Sequence, residues 1–329
     1  MSLSASGFRR LVPILRRPRI SLAVMLFGLF LAGIGIRRHV FTAQCRALNR
    51  NELPFTLEGA LNFRRVRQVF EEGVLPRLDP DVQYPDGVIV RENDTVGAEY
   101  VYAALARLFP GRVPLASRVR WMEVSWFCLG IPLAGLWVWW WKRSRWGAFV
   151  ASAFYATAIS SVIRSTGQEI SHENFALPLL LGHLALQAAA RSVARGAVWV
   201  RGGSLALLGL ALATWDLVQY YLLLWMLWSA WLWWRGAPGD ETPPRRAWVS
   251  QFALLLVLGL ANPYLRAHGF LLSPAMLAGW GILLGWGVQR GVESGRLRPF
   301  WARPWVVPAA MLTPLVLGLT LVAPFGGPY

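Results

Sequence analysis

Long apolar runs, interrupted by short stretches rich in arginine, dominate the pattern along this chain. About 20 apolar residues in succession cross a bilayer as a helix, although boundaries read from sequence are uncertain by a few positions. The pattern therefore predicts an all-α integral membrane protein with about nine spans in a single transmembrane domain over residues 1–329. The predicted spans are Ile20–Ile36, Trp121–Trp141, Trp146–Ile163, Phe175–Ala190, Gly203–Gln219, Tyr220–Trp234, Ala247–Asn262, Phe270–Val288 and Trp305–Val322.

The basic residues predict which side of the membrane each segment faces. Alternate connections are rich in arginine, beginning with the arginines before Ile20, whereas the short connections between them contain only Arg164 and Arg266. Since cytoplasmic segments carry an excess of Lys and Arg, the N-terminus is expected inside, and residues 37–120 form a long first extracytoplasmic loop. The first apolar run lacks a small-residue cleavage site, which indicates an uncleaved anchor helix. If residues 203–234 formed a single helix, the later arginines would lie outside, against the charge bias. Two helices are therefore predicted, with Trp215–Tyr220 as a tight outer turn between them.

Composition supports this interpretation. Hydrophobic residues make up 55% of the 329 residues and charged residues 15%, with a mean hydropathy of +0.41. A net charge of +16 would suggest a nucleic-acid partner in a soluble protein. Because the basic residues here flank apolar segments, we expect membrane lipid as the partner and no nucleic acid. Cys45 and Cys128 have neither metal-site spacing nor the pattern of a disulfide framework.

The first loop is predicted to contain two amphipathic helices that lie along the membrane surface. The first has a helical apolar stripe and a stop at Gly73. The stripe consists of Leu57, Leu61, Val66, Val69 and Phe70. The second is predicted from about Val96 to Leu108, with Asp94 or Thr95 as its cap.

Acidic residues near the predicted outer face are the candidate chemical groups. Glu58 opens the first loop helix, Glu169 and Glu173 lie in the second outer loop beside His172, and Asp216 lies in the third outer turn. Carboxylates of this kind bind hard cations such as Mg²⁺ or Mn²⁺, and one of them can serve as a general base. Each acid also has a simpler interpretation as a helix-dipole partner, a cap or a solvated loop charge. His172 is a candidate metal ligand or a surface histidine.

Basic residues at the same face are candidates for binding a phosphate. Arg164 and Arg266 lie in short outer loops, although Lys and Arg are usually concentrated on the cytoplasmic side, and Arg64 follows Glu58 on the first loop helix. A guanidinium group binds phosphate through paired hydrogen bonds, although Arg64 could equally face lipid headgroups. His183 lies within a predicted span, where a neutral histidine bonded across helices is expected.

The first loop resembles the catalytic subunit of oligosaccharyltransferases, which are membrane glycosyltransferases of the GT-C class. The family has an acidic residue, three variable positions and then Asn-Tyr-Arg, and the segment from Glu58 to Arg64 matches with Glu for Asp and Phe63 for Tyr. Gly73, Asp79 and the turn Tyr84–Gly87 follow in the family's order. In the second outer loop, only Glu173 matches the family's Asp-x-Glu motif, because Ser171 replaces the Asp.

The resemblance implies transfer of a sugar or oligosaccharide from a polyprenyl-(di)phosphate donor to a protein, lipid or glycan acceptor. It implies Glu58 as metal ligand or acceptor-activating base, and Glu173 as a second ligand of a divalent cation, with Glu169 or His172 as substitutes for the missing Asp. The expected location is a bacterial inner membrane with the active face outside. The family's soluble C-terminal domain is not found, so we expect a truncated portion or a related enzyme without it.

Three alternatives stay open from sequence. A GT-C enzyme that uses a polyprenyl-monophosphate sugar would have similar acids in its first loop. A transporter or lipid flippase is less favoured, since no paired interrupted helices are evident. A non-catalytic membrane scaffold is consistent with Ser171 in place of the family Asp.

Overall fold

The computed structural model describes residues 18–109, 113–192, 197–235, 245–297, 303 and 305–322. The arginines up to Arg17, which entered the prediction of a cytoplasmic N-terminus, lie outside these residues, as does the C-terminal segment from residue 323. The described chain is almost entirely helical, which confirms the predicted all-α class. Its α-helices are α1 (Pro18–Ala47), α2 (Leu57–Glu72), α3 (Val90–Asn93), α4 (Gly97–Leu108), α5 (Leu115–Cys128), α6 (Gly130–Lys142), α7 (Arg145–Thr157), α8 (Ile159–Arg164), α9 (His172–Ala190), α10 (Ala197–Thr214), α11 (Val218–Trp234), α12 (Arg245–Ala261), α13 (Pro263–Ala267), α14 (Pro274–Glu293) and α15 (Val306–Val322).

The contacts divide the chain into two compact units. The first comprises Met1–Leu75 and Gly97–Thr214. In it, α9 packs against α10 and α6, α6 packs against α7, α1 packs against α7, and α2 packs against α4. His183 joins α9 to α10, because its Nδ1 lies 2.9 Å from both the carbonyl and the hydroxyl oxygen of Ser204. The predicted cross-helix bond of this histidine is therefore confirmed.

The second unit comprises Pro76–Val96 and Trp215–Tyr329. Its short antiparallel ribbon pairs β1 (Leu78–Asp79) with β2 (Val88–Ile89). The helix α14 packs against α15 and α11, and α13 packs against α3. An indole cluster fills part of this unit, with ring centroids 4.7 Å apart between Trp233 and Trp286 and 4.9 Å apart between Trp248 and Trp286.

Three of the described helical segments are long and apolar enough to cross a membrane: Ser21–Ala47, Leu115–Lys142 and Ala197–Thr214. By length and composition, the chain therefore has the features of a membrane protein. The structure splits residues 203–234 into α10 and α11 as predicted, but the connection is limited to Trp215–Leu217, because Val218–Tyr220 belong to α11. Cys45 and Cys128 are both free, and both are buried.

Several predicted boundaries are wrong. The first helix does not end at Ile36 but continues to Ala47, so the N-terminal part of the 37–120 segment is helical. The predicted span over residues 146–163 is broken at Ala158 into α7 and α8. The first loop helix begins and ends where predicted, with Gly73 in the left-handed conformation at its C-terminus. Its buried face differs, however, because Leu57 is 96% exposed.

Candidate functional site

The loop between α8 and α9, residues 165–171, lies directly against the start of α2. The amide of Thr56 donates to the carbonyl of Gln168 at 3.0 Å, and the side-chain amide of Asn62 donates to the carbonyl of Ile170 at 2.7 Å. A Cβ atom on Gly59 would come within 2.9 Å of the Ile170 nitrogen, so the close approach requires glycine. Gly59 and Asn62 both belong to the motif that begins at Glu58. The motif therefore holds Glu58 beside the loop that contains Glu169.

Arg164 and Glu173 form an ion pair at the two ends of this loop. Arg164 is the last residue of α8, and its Nη1 donates to Oε1 of Glu173 in the first turn of α9. Ser171 caps α9, since its hydroxyl accepts a hydrogen bond from the amide of Asn174 at 3.2 Å. The cap fixes the start of α9, and Glu173 lies in the first turn of that helix.

The charges of three predicted acids act on the same guanidinium group. The hydrogen bond and charge of Glu173, followed by the charges of Glu169 and Glu58, raise the pKa of Arg164 above its ordinary value, against the opposing effect of desolvation. Glu58, Glu169 and Glu173 are thus electrostatic neighbours of Arg164, although they are far apart in sequence. Acids of the first two predicted outer loops therefore act on one guanidinium group, and Asp216 of the third predicted turn is not among them.

A cavity of about 320 Å³ opens beside the ion pair. Arg164, Glu173 and Asn174 supply its charged and amide groups. Most of the remaining wall is aromatic or aliphatic and includes Phe127, Phe154, Tyr155, Ala158 and Leu177. An apolar wall with a guanidinium group at one side suits an amphiphile that has an anionic head.

The opposite side of the first turn of α9 faces the protein interior. His172 Nε2 lies 2.9 Å from Oε1 of Glu99, a residue of α4 that is 1% exposed. Next to this pair, Glu123 of α5 is fully buried and accepts a hydrogen bond from the side-chain amide of Asn174 at 2.5 Å. Tyr102, also on α4, is fully buried, and desolvation together with the charges of Glu123 and Glu99 raises the pKa of its phenol. These groups form a buried polar layer behind the ion pair.

Asn174 connects the two sides of α9. Its side-chain amide also donates to the carbonyl of Arg164 at 2.8 Å and to the carbonyl of Glu169 at 3.3 Å. The same group thereby holds the α8–α9 loop and the buried Glu123. Sequence reasoning did not select Asn174, Glu99 or Glu123. An ionisable residue inside a predicted span, as Glu123 is, was the available signal.

The predicted metal ligands do not form one ligand set in this arrangement. Within the described ranges, no group of three or more His, Cys, Asp and Glu side chains is placed to hold a metal ion. Oε1 of Glu173 is engaged by Arg164, and Nε2 of His172 is engaged by Glu99. His172 is therefore not the surface residue that one interpretation predicted. It also does not share a partner with Glu173, as two ligands of one metal ion would.

Two buried arginines support the segments that lead to Arg164 and to Glu58. Arg37 of α1 bonds to the serines of α8 and its following loop, as detailed below. Arg120 of α5 donates to the carbonyl of Leu53 at 2.7 Å, and its guanidinium carbon lies 4.8 Å from the ring centroids of both Phe41 and Phe55. It thus fixes the backbone that leads into α2 and Glu58.

The remaining predicted residues lie elsewhere. Arg64 is half-buried on α2. In the second compact unit, Arg266 is exposed on α13, and Asp216 accepts a hydrogen bond from the Tyr264 hydroxyl at 3.1 Å. No protein-family model matches this chain, and a search of curated proteins finds no match.

Proposed function

We propose that this protein transfers a sugar or oligosaccharide from a polyprenyl-(di)phosphate donor to an acceptor at the extracytoplasmic membrane face. The proposal includes a GT-C-like bundle of about nine spans in a bacterial inner membrane. The observation that supports it best is the position of Arg164 beside a largely apolar cavity, with the charges of Glu173, Glu169 and Glu58 around it.

The cavity suits both parts of such a donor. A phosphate group would bind Arg164 by charge-assisted hydrogen bonds, and the first part of the prenyl chain would contact Phe127, Phe154 and Leu177. Since Arg164 is 59% exposed, its pair with Glu173 is open to solvent and can exchange partners at low cost. In the proposed complex, the donor phosphate takes the place of the Glu173 carboxylate on the guanidinium group.

In the proposed transfer step, Glu58 acts as the base and Arg164 stabilises the leaving phosphate. The bond between the anomeric carbon and the phosphate oxygen breaks, and a bond forms between that carbon and the acceptor's nucleophilic atom. Glu58, which is exposed in the first turn of α2, receives the acceptor's proton. The phosphate leaves with the bonding electrons, and Arg164 offsets its charge.

A divalent cation remains part of the proposal. Glu58, Glu169 and Glu173 do not form a ligand set in the described arrangement. They are the side chains that would hold Mg²⁺ or Mn²⁺ once the donor phosphate has taken the place of Glu173 on Arg164, and the ion would supply further charge neutralisation at the phosphate. Removal of divalent ions with EDTA is expected to stop transfer, and added Mg²⁺ or Mn²⁺ is expected to restore it. Unchanged turnover after EDTA treatment would remove the cation from the proposal.

The decisive experiment uses the full chain purified in mild detergent. It is incubated with a panel of polyprenyl-monophosphate and polyprenyl-diphosphate sugars, and mass spectrometry identifies the lipid product. Glu58→Gln should lower turnover by about 100-fold or more, because a general base contributes at least that factor. Glu72→Gln, an exposed change at the far end of the same helix, is the matched control and should leave turnover unchanged.

The same panel separates the alternatives. Release of polyprenyl diphosphate from the diphosphate-linked donors would identify the diphosphate carrier. Release of polyprenyl monophosphate from the monophosphate-linked donors would support the monophosphate-sugar alternative. Movement of intact donor across a vesicle membrane without bond cleavage would support a transporter or flippase. Normal transfer by Glu58→Gln would remove this residue from the reaction.

A further inference from the structure

Arg37 is a charged residue with no exposed surface, located in the middle of α1. Burying a cation is costly unless hydrogen bonds satisfy its donors. All three guanidinium nitrogens of Arg37 have such bonds. Nε donates to the Ser165 hydroxyl at 2.6 Å, and Nη1 donates to the carbonyls of Gly33 at 3.1 Å and Ala156 at 3.2 Å. Nη2 donates to the Ser161 hydroxyl at 2.9 Å.

These bonds surround the break between α7 and α8. Ala156 lies in the last turn of α7, Ser161 lies within α8, and Ser165 directly follows Arg164. Both serines extend the network, since Ser161 donates to the carbonyl of Tyr155 at 2.7 Å and Ser165 donates to the carbonyl of Ser161 at 2.5 Å. One guanidinium group thus joins α1 to both sides of the break.

The break determines where Arg164 lies. The helix α8 has only six residues and is flanked by non-helical backbone at Ala158 and Ser165, so its own hydrogen bonds constrain it weakly. Ser161 and Tyr155 line the cavity, and the Arg37 guanidinium carbon lies 5.2 Å from the ring centroid of Phe127, another wall residue. The planar fork of an arginine can reach all these partners at once, whereas a lysine presents a single ammonium group.

We propose that Arg37 is a positioning residue that holds α8 in place and thereby sets Arg164 at the cavity. This inference rests on the proposed function, because that function assigns Arg164 to the donor phosphate. Arg37 itself, buried behind the cavity wall, contacts no reacting atom.

Ser165→Ala is the sharpest test, because Ser165 bonds Arg37 but is not among the cavity-lining residues. Farnesyl phosphate binding to the full chain in detergent is the measurement. We expect the dissociation constant to rise about fivefold, the effect of losing one hydrogen bond to a charged group that orients the site. The donor KM should rise similarly while kcat changes less, since the reacting groups are retained. Arg37→Lys, which keeps the charge but loses the fork, should have a larger effect in the same direction.

Ser152→Ala is the matched control. Ser152 of α7 is as fully buried as Ser165, but its hydroxyl donates to the carbonyl of Ile131 at 2.9 Å and takes no part in the bonds of Arg37 given above. It should lower stability to a similar extent and change farnesyl phosphate binding by less than twofold. Equal weakening of binding by both serine variants would overturn the positioning role, since general loss of stability would then explain it.

Amide hydrogen exchange provides a readout independent of any donor. Ser165→Ala should accelerate exchange over residues 159–166 and leave α6 unchanged, and unaltered exchange there would overturn the inference. If the wild-type chain fails to bind farnesyl phosphate, or if Arg164→Gln binds it normally, the proposed function of the cavity fails. If binding depends on Arg164 but Ser165→Ala and Arg37→Lys bind normally, only the role of Arg37 fails.

Discussion

Two neighbouring residues of α9 form acid–base pairs on opposite sides of the same helical turn. Glu173 pairs with Arg164 where the side chains are 20% and 59% exposed. His172 contacts Glu99 where the side chains are 11% and 1% exposed. An exposed pair contributes little stability and exchanges partners easily, whereas removing one member of a buried pair leaves a polar group without compensation. The exposed Arg164–Glu173 pair, called the outer pair below, therefore suits ligand binding. The buried His172–Glu99 pair, called the inner pair, suits a structural role.

The largest effect is expected from breaking the inner pair. His172→Ala should lower the free energy of unfolding by about 3 kcal/mol, because Oε1 of Glu99 then loses its partner in a buried position. Chemical denaturation in mild detergent measures the change. Glu99→Gln in the His172→Ala background should recover part of the loss, since a neutral amide is less costly to bury than a carboxylate. A loss below about 1 kcal/mol for His172→Ala would contradict the buried structural role.

The sequence analysis selected Arg164 and Glu173 as candidate residues without predicting that they pair, and of the buried pair it selected His172 but not Glu99. Arg164 was recognisable because a basic residue in a short outer loop goes against the charge bias, and Glu173 because it is an acid near the predicted outer face. Glu99 lies in the first turn of α4, where an acid has a ready explanation in the helix dipole. Glu99 is buried because α4 packs against α2 and α5 and meets His172 of α9, and no local sequence pattern encodes these tertiary contacts.

The fold, like the site, was predictable only in part. Apolar runs indicated where helices lie, because a helix that spans a membrane needs a long stretch of mostly apolar residues and such a stretch is visible in the hydropathy of the sequence. The end of α1 was missed because Arg37 was interpreted as the polar limit of a span, whereas serines from α8 and its loop satisfy it inside the protein. The break at Ala158 was also missed, because neither glycine nor proline marks it.

The next largest effect is expected from removing the outer cation. Arg164→Gln should raise the dissociation constant for farnesyl phosphate about tenfold, the effect of a lost charge-assisted hydrogen bond. Its stability should stay close to that of the wild-type protein, because the side chain is largely exposed. Isothermal titration in detergent measures binding. Arg46→Gln, an exposed change near the end of α1, is the control and should bind normally.

The smallest effect on stability, and the sharpest contrast with His172→Ala, is expected from Glu173→Gln. The free energy of unfolding should change by less than about 1 kcal/mol, because solvent screens the lost pair with Arg164. Binding of farnesyl phosphate should become a few-fold tighter, since the phosphate no longer competes with a carboxylate for the guanidinium group. Both quantities come from the denaturation and titration experiments used for the other variants. Weaker binding would mean that Glu173 supports the anion rather than competing with it, and a stability loss as large as that of His172→Ala would remove the distinction between the two sides of α9.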